Sequence, residues 1–84
     1  MGTKNNPGQF DCYENALPDE PMFVLLARDP FFADIVNAWA DIRESEINRG
    51  RQPESDRELV AEARACAAAG EKWRRENEGR WRHE

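Results

Sequence analysis

The side chains best suited to chemistry are few, and their spacing argues against catalysis. His83 is the single histidine of the chain and lies next to its last residue. A general base needs a fixed position, which a solvated chain end does not supply. Cys12 and Cys66 are far apart and match neither a zinc spacing nor a disulfide framework. Neither has a neighbouring histidine or basic residue that would mark a nucleophile. Two reduced thiols are therefore expected, with Cys66 in the core. Asp11, Glu14, Asp19 and Glu20 could be gathered around a metal, yet no glycine-centred calcium loop accompanies them. Asp19 and Glu20 are adjacent, so they diverge in an extended chain and form no poised acid–base pair. There is no glycine-rich phosphate loop. The expectation is a protein that is no enzyme and carries no cofactor and no metal.

Charge patterning points instead to contact with another macromolecule. The formal net charge is −5. Residues 1–34 hold Asp11, Glu14, Asp19, Glu20, Asp29 and Asp34 against only Lys4 and Arg28, and the remainder is nearly balanced. An acidic field disfavours phosphate backbones and favours basic partners. Asp11, Glu14, Asp19, Glu20 and Asp34 are the candidate partner-binding residues, with Tyr13 as an aromatic anchor. A second reading uses Lys72, Arg74, Arg75, Arg80 and Arg82 with Trp81 to bind nucleic acid through phosphates and stacking. Glu71, Glu76 and Glu78 dilute that segment, and basic residues at a helix C-terminus complement its dipole. Direct nucleic-acid binding is therefore not the expectation. A third reading places small anionic ligands in a cleft at a dimer seam.

These residues must be positioned by one small domain, since the chain has 84 residues. Residues 1–9 read as a flexible tail and 10–84 as the domain. The apolar run from Met22 to Ala27 is rich in strand formers and is bracketed by Pro18, Pro21 and Pro30. It predicts a strand over 22–27. Asp29-Pro30 then suggests a helix cap and first helical residue, opening a helix over 30–49. Phe32, Ile35, Val36, Trp39 and Ile42 form its apolar stripe, and Gly50 and Pro53 stop it. Ser55-Asp56-Arg57-Glu58 reads as a capping box for a helix over 56–78. Its stripe of Leu59, Ala63, Cys66, Gly70 and Trp73 is mostly small, with Val60 and Ala67 beside it. Trp39 is the expected filler over Ala63, Cys66, Ala67 and Gly70. The connector is short, so the helices should run antiparallel.

The fold class expected is thus mainly α: a short N-terminal strand followed by an antiparallel two-helix hairpin. A lone strand needs partners for its N–H and C=O groups. The leading solution is a homodimer with Met22, Phe23, Val24, Leu25 and Leu26 paired across a two-fold axis. Pairing with the segment from Phe10 to Tyr13, or an unpaired extended segment on the hairpin, are the alternatives. No run approaches membrane-spanning length, no apolar leader is visible, and Asn6 departs from a myristoylation start. A soluble protein outside membranes, in the cytoplasm, is expected.

The succession "PDEPMFVLLARDP", Trp39-Ala40, "GRQPESD", "VAEARACA" and "KWRREN" resembles small uncharacterised proteins of bacteriophages and prophages of proteobacteria. The resemblance covers most of the chain from Phe10 onward. It implies a phage accessory protein working in the cytoplasm of a bacterial host. By analogy with small acidic phage proteins, it implies an inhibitor of a host nucleic-acid-binding defence complex, in the manner of anti-CRISPR proteins.

Overall fold

The computed structural model describes residues 1–81, and for Trp81 the backbone alone. Among these described residues four helices follow one another: α1 (Cys12–Asn15), α2 (Phe32–Asn48), α3 (Arg57–Glu76) and α4 (Glu78–Trp81), with a 3-10 turn at Glu54–Asp56 before α3. The molecule is mainly helical, and α2 and α3 make the hairpin. Phe32 at the start of α2 lies over Gly70 late in α3, whereas Ile47 at the end of α2 joins Val60 near the start of α3. That crossing of ends makes the two helices antiparallel.

The expected strand over 22–27 is not formed. Among the described residues there is no strand, and residues 21–26 belong to neither helix nor turn. A ladder needs a second chain segment, and the residues from Phe10 to Tyr13 do not supply one: they lead into α1.

Helix boundaries follow local hydrogen bonding. Pro30 does not begin the helix. The Asp29 carboxylate accepts from Phe31 N–H at 2.8 Å and its carbonyl from Phe32 N–H at 3.0 Å, so a turn precedes α2. The far end closes as a Schellman motif. Gly50 N–H bonds Ile47 O at 3.0 Å, Arg51 N–H bonds Glu46 O at 2.8 Å, and Gly50 takes a φ of 75°. The capping box at Ser55 is not used: Ser55 sits inside the 3-10 turn, and no side chain caps α3. Ion pairs hold the corner instead, Arg57 to Glu54 at 2.6 Å and Arg43 to Asp56 at 3.3 Å.

Small residues set the packing. Among the described hydrophobic residues, Ala40, Ala63 and Ala67 are at 0–1% exposure, and Ile47, Val60, Phe32 and Ala33 complete the core at 3%, 6%, 8% and 9%. On α3 the buried stripe is Val60, Ala63, Ala67 and Gly70, rotated from the expected one, so that Leu59, Cys66 and Trp73 are only half-buried. The face of α2 is rotated too: Ala40 and Ile47 point inward while Ile35 and Ile42 are exposed. Sizes are matched along the contact: Ala40 clusters with Ala63, Ile47 and Val60, and the Phe32 ring lies over Gly70. Trp39 lies at the margin of the Ala40–Ile47–Val60–Ala63 cluster, with Arg43 stacked 5.3 Å from its ring. Phe32, not Trp39, covers Gly70. Met1 packs against the same cluster as Trp39.

Candidate interaction surface

Two sets of charges behave differently. In the hairpin, charges are paired across and along the helices: Arg64 reaches Asp41 at 2.8 Å and Glu44 at 3.3 Å, and Arg51 reaches Glu46 at 3.5 Å. These partners raise the pKa of Arg64, chiefly through its hydrogen bond to Asp41, and lower that of Glu54, chiefly through its hydrogen bond to Arg57. On the N-terminal side, Glu14, Asp19, Glu20 and Asp34 are exposed, and none of them makes an ion pair among the described residues.

Local structure places each of these groups. Asp11 begins α1, its carboxylate accepting from Tyr13 N–H at 2.9 Å, which commits this residue to capping. Tyr13 follows, 74% exposed, with Glu14 beside it in the short helix. Glu20 closes the next turn by accepting from Leu17 N–H at 3.0 Å. Asp34 stands in the first turn of α2, where its charge suits the helix dipole. Asp11 and Tyr13 are thus linked by a direct hydrogen bond, and Glu20 meets α1 at an open cleft of about 290 Å³ that Cys12, Asn15, Met22 and Phe23 also line.

Of the acidic set, Glu20 shares its cleft with Met22 and Phe23 of the apolar run. Phe23 is 82% exposed and Val24 64%, with Met22 and Leu26 also exposed and Leu25 half-buried. Its downstream end is fastened to α3 by Arg74, whose guanidinium donates to the carbonyls of Ala27 and Arg28. That role for Arg74 has no signature in the sequence, because the contact joins residues 46 positions apart. It also takes Arg74 into the scaffold. Arg80 bonds Asn77 at 2.8 Å and stacks 5.9 Å from the Trp73 ring. Lys72 and Arg75 are the exposed basic residues of this helix end. Arg82 and His83 lie outside the described residues.

The two thiols differ in their surroundings. Burial pushes the Cys66 thiol above its ordinary pKa, which lowers its thiolate fraction. Cys12 is exposed on α1. Among the described residues no three His, Cys, Asp or Glu side chains gather as a metal would require, and no helix is long and apolar enough to cross a membrane. No protein-family model matches the chain, and no match is found among curated proteins or solved structures.

Proposed function

We infer that this chain acts by protein–protein contact, through a front made of the apolar run at 22–26 and the carboxylates around it. The observation that carries the reading is their coincidence. Large apolar side chains stay exposed in one stretch, and Glu14, Asp19 and Asp34, close to it in sequence, make no ion pair with another described residue, unlike acids of the hairpin. Exposed apolar clusters rimmed by polar groups mark interaction sites, and a rim of one sign selects a partner of the other. The partner is therefore a protein with a basic surface, such as one that itself holds nucleic acid. Assignment to phage accessory proteins that inhibit a host defence complex rests on the sequence resemblance. A homodimer through Met22, Phe23, Val24, Leu25 and Leu26 belongs to the same reading. Direct nucleic-acid binding has less behind it, since Arg74 and Arg80 are engaged within the chain.

The test is association with a captured basic partner at two ionic strengths. Glu14→Lys with Asp34→Lys should slow association severalfold and flatten its salt dependence. The melting temperature should move little, the Asp34 change removing about 0.3–1 kcal/mol of dipole interaction. Unchanged, salt-independent binding would refute the acidic contact. Mobility shifts of a short duplex that need Lys72 and Arg75 would move the function to the basic helix end.

A further inference from the structure

The chain turns a corner at residues 27–30, and the corner is largely bonded to itself. Leu26 O accepts from Asp29 N–H at 3.0 Å, Asp29 O from Phe32 N–H at 3.0 Å, and the Asp29 carboxylate from Phe31 N–H at 2.8 Å. The carbonyls of Ala27 and Arg28 accept no main-chain N–H of the described residues. Both residues are half-buried, so these carbonyls need donors. Arg74 supplies them, its Nη1 donating to both. Gly70 lies one helical turn before Arg74, on the same side of α3. Its missing Cβ leaves room for the Phe32 ring, and the Ala27 Cβ stands 3.5 Å from that vacant position. Gly70 and Arg74 thus form one seat: the first lets the corner approach α3, and the second binds the two carbonyls brought near.

Ahead of the corner little holds the chain. Residues 12–26 are exposed except for Ala16 and Leu25, which are half-buried, and α1 buries no residue. No main-chain group of 21–25 bonds another described residue. The corner is therefore the first point downstream at which the apolar run is tied to the hairpin.

We propose that Arg74 is the positioning residue of the contact front: by holding the corner in its seat it fixes the direction in which the run at 22–26 leaves the hairpin. The proposal rests on the reading of that run as a protein-contact surface and adds what presents it. A partner takes the run in one orientation. With the clamp lost, that orientation is only a fraction of those sampled, and apparent affinity falls by the same fraction. Charge alone acts in the other direction. Removing a cation makes the chain more acidic, which should favour association with a basic partner. Positioning and charge are thus separated by the sign of the effect.

Spin-label distances read the clamp without a partner. In a Cys12→Ser, Cys66→Ala chain diluted with unlabelled protein, labels on Val24→Cys and on Ala61→Cys, an exposed site of α3, should give one narrow distance peak. Arg74→Gln should lose that peak while helical dichroism is kept. Arg74→Lys retains a cation with several donors and should recover it. Asp29→Ala, which leaves α3 untouched, should lose it by freeing the corner from within. Against the captured basic partner, Arg74→Gln should weaken binding about tenfold, chiefly through faster dissociation. The salt dependence of its association should stay, because Glu14, Asp19 and Asp34 remain. An unchanged peak in Arg74→Gln, or tighter binding by it, overturns the proposal. So does a lost peak with parent-like binding, since the clamp would then hold the corner without serving the contact. A parent that binds no basic partner at all overturns the reading of the front and the proposal with it, whereas a binding parent with an unchanged peak in Arg74→Gln overturns the proposal alone.

Discussion

A Cβ built on Gly70 would stand 2.5 Å from Cε1 and 2.7 Å from Cδ1 of Phe32. No real contact is that close, so the ring or the helix must shift to accept any side chain. Glycine costs a helix interior about 1 kcal/mol relative to alanine, and here the absent Cβ admits the Phe32 ring. Gly70→Leu should therefore lower stability by about 1–3 kcal/mol through overpacking. Phe32→Ala should cost about 3–5 kcal/mol through the cavity it leaves. Combined, the leucine should refill part of that space, and denaturant titration should find the double variant clearly more stable than the sum of the two losses implies. Simple additivity would show that the two residues do not touch. Cysteine accessibility gives a second residue-level expectation. Cys12 is exposed, while Cys66 is half-buried with its thiol pKa raised by burial. A thiol reagent should label Cys12 first and reach Cys66 at a rate set by opening of the hairpin; equal rates in the native protein would contradict the packing of α3.

Among the elements, the corner between α2 and α3 depends on a backbone conformation and on charge. Gly50 at a φ of 75° lies where an L side chain adds strain, and Gly50→Ala should cost about 1–2 kcal/mol. The Glu54–Arg57 pair holds the first turn of α3, and its hydrogen bond lowers the Glu54 pKa from the ordinary 4.5. A depressed carboxyl stabilises the fold above its unfolded pKa, and that contribution fades as pH falls through the folded value. The melting advantage of the parent over Glu54→Gln should thus be present at neutral pH, small because the pair is exposed, and should vanish well below the ordinary carboxyl range. An advantage that grows on acidification would show that Glu54 acts other than as a carboxylate.

These elements also show what the sequence could carry. The two long helices, the Gly50 stop and the small-residue face of α3 are legible because each follows from local residue types. The strand is not, since strand formers specify an edge but not the segment that meets it. The rotation of α2, which leaves Ile35 and Ile42 exposed, is hidden for a related reason. Periodicity marks a wide apolar stripe, and the small residues of α3 decide which part of it is covered. The acidic residues of the front are legible as a concentration of negative charge in the first third of the sequence. That Glu14, Asp19, Glu20 and Asp34 make no ion pair with another described residue, while Arg43, Arg57 and Arg64 are committed to acids of the hairpin, is visible only in the structure.

At the scale of the whole molecule, the chain is longer than its core warrants. Its radius of gyration is 14.1 Å and its extents are 44 × 28 × 20 Å, against roughly 12 Å for a compact domain of this length. A hairpin whose fully buried residues are alanines gains little from apolar burial, and small domains in this position draw stability from association. Folding and pairing should then be linked. A partner that binds only the folded chain raises apparent stability with its concentration, and for two identical copies each tenfold rise adds about 1.4 kcal/mol. Melting temperature should therefore climb by a few degrees for every tenfold increase in protein. Val24→Pro lies outside every helix, so its far-ultraviolet dichroism should keep the helical signature while its melting becomes lower and independent of concentration. A parent that melts at one temperature over a hundredfold range of concentration would mean that the hairpin stands without a second copy.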